Sequence, residues 1–499
     1  TIVYITMCRR YFPGRQRIVP SGNSNDARPD EPHTLVVDQG THASRALIFD
    51  ARGVCLHENH QPVSLSRTDG RIEQDAEALL ASVQQVIEIA LNQGQGNIGQ
   101  MALATQRSTV VAWDARDGRP LAPAISWQDR RNADWLAAHA PPADELARIT
   151  GLRASPHYGA SKLRWWLDHD PKIRNAAADG HLCLGPLAAF LVARLVPERP
   201  PAVDVTNAAR TLLLDIERGE WDDSLLAHFG IERQWLPQVR PVRADYGRLT
   251  GTGIPLTAVS GDQTAALFVD GLPPQEALHV NLGSGAFVLA VTGHGRHPVP
   301  GLLAGVADHG PEGPLYYAEG TVNGAGSALD WLAAEGDEPL PPERIRQALA
   351  TTDHEPPIFL NGVGGLGSPW WGTTRPRFIE ETPASPAARI TAVVESIAFL
   401  VVENIERLRE AGLRAARLVF TGGLSGLDRL CQDIVDLAGL PGERLDQPEA
   451  TARGAAWLAA KDHASWIPTP RTPFMPRPAT ALRRRRQRFR QALEESLAT

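Results

Sequence analysis

One pattern constrains the fold of this chain more than any other, because it occurs twice. VVDQGTHASRALIF (36–49) and HVNLGSGAFVLAV (279–291) both carry a β-rich run into a polar residue, a glycine and a small hydroxyl residue, then into a second apolar run. Two such hairpins point to a duplicated architecture in which each half presents a small-residue turn to a shared cleft. At 499 residues the chain is also too long for a single compact core. Between the hairpins, residues 75–92 (DAEALLASVQQVIEIALN) space their apolar positions as a helix does, with acidic residues in the first turn. MALATQ and STVVAWD read as strands, with RDGRP as a turn after them. This alternation predicts an α/β fold. The two prolines of GLPPQEA set a boundary near Gly271, giving domains over 34–270 and 271–465.

The ends read differently. Residues 1–33 mix Pro, Gly, Ser, Asn and Arg without a period and are expected to be disordered. Residues 466–499 form a tail whose RRRRQRFRQALEESL segment predicts a solvated terminal helix rather than a nucleic-acid arm. A net charge of −7 gives no reason to expect a nucleic-acid or membrane partner. Cys8, Cys55, Cys183 and Cys431 lie far apart, with no metal-ligand or redox spacing, so a cytoplasmic, reducing setting is expected.

The turns carry the candidate chemistry. DQGTHASR (38–45) packs a carboxylate, a glycine, a hydroxyl and an arginine together, which suits phosphate oxygens, with Asp38 as a Mg²⁺ partner. A plain hairpin with Asp and Gly as turn formers explains it equally well. Gly283, Ser284 and Gly285 make a second donor-rich turn, and Gly422–Gly423 read as a turn at a helix N-terminus. Asp262 closes a strand-like run as either an N-cap or a general base. Arg107 and Trp127 suit a sugar or polyol, although a tryptophan is more often core. Gly362, Gly364 and Gly367 mimic a dinucleotide fingerprint, but Pro369 and two tryptophans follow instead of a helix.

In order, DQGTHASR, TQRSTVVAW, SWQDRR, NAARTLLLDI, GDQTAALF, NLGSGAF, GGLSGLDRLCQDI and EATARGAAWLAA resemble the FGGY family of carbohydrate kinases, and within it the glycerol kinases, from about Leu35 to Ala460. The resemblance implies an actin-like ATPase (ribonuclease H-like) fold: two duplicated α/β domains around a central cleft. It implies ATP and Mg²⁺ as cofactors and phosphorylation of a polyol or sugar hydroxyl. Asp262 would be the catalytic base and, with Asp38, would face the metal. Thr41, His42, Arg45, Gly283, Ser284, Gly326, Asp330, Gly423 and Leu427 fall on nucleotide positions. Arg107, Ser108, Trp127, His157, Gln263 and Phe287, with Asp262, fall on substrate positions. Family members often form dimers or tetramers, and nothing in this sequence fixes an interface.

The departures from the glycerol-kinase pattern sit in the pocket. Ser108 replaces a substrate-binding carboxylate, His157 a tyrosine and Leu427 an asparagine, while His42 and Ala43 replace two phosphate-loop hydroxyls. Asp129 is a candidate new partner for Arg107. A ligand larger or differently hydroxylated than glycerol, such as a tetritol or a ketose, is therefore expected. Two other classes stay open at this point: an actin-like ATPase that drives a protein partner, and a non-catalytic sugar-sensing relative.

Overall fold

A computed structural model of the chain describes residues 32–93, 97–336, 339–351, 355–379 and 384–498. Most of the extension expected to be disordered lies outside these residues. Its last residue, His33, already opens a strand, because its N–H donates to the Asn97 carbonyl at 2.8 Å and so extends the ladder backwards.

The first sheet contains β1 (His33–Gln39), β2 (Ala43–Phe49), β3 (Cys55–Pro62), β4 (Ile98–Thr105), β5 (Arg243–Arg248) and β6 (Pro255–Gly261). Their spatial order is β5-β6-β4-β1-β2-β3. β1 to β3 form an antiparallel meander, and β4 and β6 add in parallel on the other side of β1. β1 and β2 are buried nearly throughout, which is why they read as continuous apolar runs rather than alternating ones. Helix α1 (Ala76–Gln93) covers the sheet with Leu79, Leu80, Val83, Val86, Ile87 and Ala90. The Asp75 carboxylate starts it by accepting from the N–H groups of Glu77 and Ala78 at 2.9 and 3.1 Å.

The second sheet repeats this plan. It contains β7 (Ala277–Leu282), β8 (Ala286–Gly293), β9 (Leu303–Gly310), β10 (Gly313–Val322), β11 (Arg417–Thr421), β12 (Gly442–Leu445) and β13 (Arg471–Phe474), in the order β9-β10-β8-β7-β11-β12-β13. Again a hairpin, β7–β8, leads an antiparallel meander, and again parallel strands, β11 and β12, stack beyond its first strand. This is the duplicated α/β architecture expected from the two hairpins. Helices α2 (Pro386–Glu410) and α3 (Asp428–Ala438) pack on it.

Helix α4 (Ala450–Ala459) crosses between the halves. It lies in sequence between β12 and β13 of the second sheet, yet it packs on β1, β4 and β6 of the first. Contact is close enough that a Cβ on Gly454 would sit 1.9 Å from the Ala265 carbonyl oxygen.

The C-terminal segment is not the solvated tail expected. Its Arg471–Phe474 stretch is the edge strand β13, and helix α5 (Thr480–Ala498) buries Leu482, Phe489 and Leu493. The arginines gave the misleading signal, because four-in-a-row basic residues read as solvated. In the fold, Arg485 Nε donates to Glu395 at 2.9 Å and Arg486 binds Glu403 and Glu406 of α2. Glu395 is 2% exposed and its other cation, Arg429, is 3.8 Å away, so Arg485→Ala would leave a buried charge poorly paired and lower unfolding free energy by about 3 kcal/mol in a urea titration. Arg484→Ala, at a position 65% exposed, should change it by less than about 0.5 kcal/mol.

Candidate active site

Strand order brings the acidic residues together. Asp38, next to last in β1, is registered with Arg45 on β2 and Ala104 on β4. Asp262 follows Gly261, which closes β6 beside Thr105 of β4. β4 runs parallel between β1 and β6, so both carboxyls leave the same end of the sheet, about 10 Å apart at the backbone. Burial raises the Asp38 carboxyl to about 7; Arg45 draws it down, while Asp262 and Glu449 push it up. Burial also raises Asp262, against the pull of Arg107, the Gln263 N–H and Arg210. Residues far apart in sequence thus share one electrostatic neighbourhood. Asp262 is not an N-cap: it is the first residue of a helical turn, Asp262–Ala265, and its Oδ1 accepts from the Gln263 N–H at 2.7 Å.

Arg107 lies along the floor of this space, over Gly261, where a Cβ would come within 2.5 Å of its Cδ. Its Nε is 3.8 Å from Asp262 Oδ1, one Nη donates to Gln263 Oε1, and the other donates to the Tyr317 hydroxyl at 3.3 Å. Asp129, the partner expected for Arg107, is instead folded back by its own turn. It accepts from the Ile72 N–H at 2.6 Å and pairs with Arg131 at 2.7 Å.

The rest of the candidate pocket surrounds Arg107. Ser108 is buried with φ +64°, and its hydroxyl donates to the Arg210 carbonyl at 3.4 Å. The Trp127 indole N–H donates to Thr41 Oγ1 at 2.8 Å, and its ring meets His157 edge-on at 5.2 Å. Burial, then the cations Lys162, Arg210, Arg107 and Arg130, lower the His157 imidazole to about 3, so it is neutral at pH 7. Lys162 holds the backbone of this wall by donating to the carbonyls of Ser108 and His157 at 3.1 and 2.8 Å. Phe287 of β8 and Gln263 line a small cavity with Leu267, His279 and Asn281.

Each half has its own phosphate-type turn. Thr41 donates to Gln106 Oε1 at 3.3 Å, and burial together with Arg67 holds the His42 imidazole below its ordinary value. Arg45 pairs with Glu449 at 2.7 Å, which ties the first hairpin to the start of α4. In the second half, the Ser284 carbonyl accepts from the N–H groups of Ala325 and Ser327, both at 3.0 Å, and the Gly283 carbonyl accepts from Gly326 at 2.9 Å. The turn and the helix Gly326–Glu335 therefore form one unit, with Asp330 on the exposed side of that helix. Gly423 opens a 3₁₀ turn, Gly423–Gly426, and α3 begins only at Asp428. The Gly-Gly pair is thus not at the helix N-terminus, because Gly422 (φ +86°) is pressed against β7, where a Cβ would lie 2.6 Å from the Leu282 carbonyl oxygen. Leu427, expected against the base, is 1% exposed within the second core.

Five residues to which the sequence assigned no role complete the site. Arg210 and Glu319 form a buried ion pair across the two halves, and Arg210 Nη2 donates to the Tyr317 hydroxyl at 2.9 Å. Burial alone would raise Glu319, but Arg210 and Arg107 hold it below its ordinary value. Glu449 pairs with Arg45, and beside it Thr451 Oγ1 donates to the Asp262 carbonyl at 3.2 Å. Arg210 and Glu449 sit inside the family-like segments NAARTLLLDI and EATARGAAWLAA, whereas no motif flagged Tyr317 or Glu319.

Residues 33–269 match the FGGY family of carbohydrate kinases, N-terminal domain, and residues 278–462 match its C-terminal domain. Glycerol kinase 1 of Pseudomonas aeruginosa is 33% identical over 453 residues, covering 86% of this chain and 89% of that protein. The glycerol kinase of Cereibacter sphaeroides is 32% identical over 453 residues, covering 86% and 90%. Among solved structures, Plasmodium falciparum glycerol kinase with ADP superposes with a TM-score of 0.85 at 23% identity, covering 94% of this chain and 99% of the other. A ligand-bound xylulose kinase from Lactobacillus acidophilus gives 0.83 at 18%, with coverage of 94% and 99%. These two likenesses speak to the fold, which is the actin-like ATPase fold. With both family domains matched in order along one chain, this protein belongs to the FGGY family of carbohydrate kinases, phosphotransferases whose acceptor is an alcohol group.

Proposed function

We propose that the cleft transfers the γ-phosphoryl group of ATP to a hydroxyl of a small polyol or sugar, with Asp262 as the base and Asp38 as the main metal partner. The observation that carries this reading is the pair of carboxyls, both raised by burial, at the same end of one sheet. A raised carboxyl is a better proton acceptor near neutral pH, as a base working on a hydroxyl requires. Phosphoryl transfer otherwise needs alignment and charge neutralisation.

The residues fit Mg²⁺. Around Asp38, two carboxylates add to its charge and only Arg45 opposes it, an excess of negative charge that a cation relieves. Two buried carboxyls at one end of a sheet suit an ion held by one or two carboxylates together with phosphate oxygens. Asp38 and Asp262 would hold it, and when bound it supplies positive charge to the phosphate oxygens. Thr41, His42 and Arg45 then lie on one side of the triphosphate and Gly283 and Ser284 on the other. Gly326, Asp330 and Gly423 border the nucleoside, with Leu427 backing Gly423 from the core.

Arg107, Ser108, Trp127, His157, Gln263 and Phe287 line the acceptor pocket in this reading. The Ser108 hydroxyl is turned to a carbonyl, so it does not replace a carboxylate, and this argues for a tetritol or ketose over glycerol. No helix among the described residues is long and apolar enough to cross a membrane. We place the enzyme in the cytoplasm, acting on small molecules, because Cys55, Cys183 and Cys431 are thiols.

Asp262→Asn should keep ATP binding, followed with a fluorescent nucleotide, and lose roughly 10²–10⁴ in turnover; near-normal turnover would remove Asp262 from this role. Asp38 gives a pH test without substrate. With a folded-state pKa of about 7 against 3.8 in the unfolded chain, folding binds a proton between those values, so metal-free stability falls as pH rises through that window. Asp38→Asn removes the effect. In thermal melts without metal it should exceed the wild type in Tm at pH 8, and the gap should close towards pH 4.

A further inference from the structure

The Tyr317 hydroxyl has an incomplete set of partners at the edge of the proposed pocket. Its ring is fixed: β10 registers Tyr317 opposite Gly305, where a Cβ would lie 2.3 Å from the ring Cζ, and the residue is 3% exposed. The oxygen accepts from Arg107 at 3.3 Å and from Arg210 at 2.9 Å. A guanidinium has donors only, so these bonds use the oxygen's acceptor capacity and leave its proton to be given elsewhere. Among the described residues no acceptor takes that proton.

Arg107 sets the direction. One end of its guanidinium faces Asp262 and the other faces Tyr317, so a ligand lying along it puts the reacting hydroxyl at Asp262 and a second oxygen at Tyr317. A substrate hydroxyl at that second position would need to place its own proton. The arginines there cannot accept it, the tyrosine oxygen is already engaged, and both oxygens of the neighbouring Glu319 are bonded to Arg210. A carbonyl oxygen has no proton to place and accepts from Tyr317 directly. We infer that Tyr317 is a specificity-determining residue whose hydroxyl donates to a carbonyl oxygen of the acceptor, so that the enzyme favours a ketose over the matching alditol. This rests on the reading of Asp262 and Arg107 as the acceptor pocket.

The test compares the full-length wild type with Tyr317→Phe on three matched pairs: dihydroxyacetone and glycerol, L-erythrulose and erythritol, D-xylulose and xylitol. For the pairs that are turned over, the wild type should favour the ketose by about ten- to a hundredfold in kcat/KM, the range expected when a buried donor is left unmet. Tyr317→Phe should erase most of that preference through KM for the ketose, with KM for ATP unchanged. Ketose-induced thermal stabilisation without ATP should fall in parallel, and the melting temperature of the free variant separates this from unfolding. A wild-type preference for the alditols, or an equal loss for both members of each pair, overturns the inference. Turnover that Asp262→Asn abolishes while Tyr317→Phe leaves the ratio unchanged sinks this inference alone. No turnover of any of the six compounds overturns it too, and a rate untouched by Asp262→Asn sinks the acceptor-pocket reading beneath it.

Discussion

The parallel registry of three neighbouring strands underlies the rest of the site. Because Ile98–Thr105 runs between His33–Gln39 and Pro255–Gly261 in the same direction, the carboxyls at the C-terminal ends of the outer two strands emerge on one edge. A change of register by one residue would send either side chain to the opposite face of the sheet. The apolar runs that bury these strands on both faces therefore do more than stabilise. They fix the separation of Asp38 and Asp262 and bury both carboxyls, and burial is what raises both above the usual carboxylate range.

The two halves meet through chemistry of a different sort. At the floor of the cleft the contact is polar: Arg210 with Glu319, and Tyr317 between two guanidinium groups. A buried pair of this kind adds little net stability compared with apolar packing, but it is demanding in geometry. It suits a place where position matters more than adhesion. Adhesion comes from α4, which lays Ala452, Ala455, Ala456 and Trp457 against the first core.

Much of this was legible in the sequence, for a physical reason. Hairpin turns that approach another backbone need glycine and small hydroxyl residues, so both hairpins announced themselves, and the order of the short segments carried the family. Asp38, Thr41, Arg107, Trp127, His157 and Asp262 do gather in one region. What escaped were pairings set by long-range packing. Asp129 was a candidate partner for Arg107 because Ser108 removes the neighbouring carboxylate, whereas Asp129 is consumed by its own turn. Tyr317 and Glu319 sit on a strand whose only local signal is β-propensity. The arginines of the last helix read as solvated because their acidic partners lie on α2, far back along the chain.

The crossing of α4 has a consequence for the life of the chain. Thr451 adds a contact to the Asp262 backbone and Glu449 restrains Arg45, so part of the support for the candidate site comes from a helix late in the sequence. During synthesis the ribosome must release the chain past Thr451 before those contacts form. The nascent first half can therefore fold its sheet early and still lack the two contacts that the second half supplies to the candidate site.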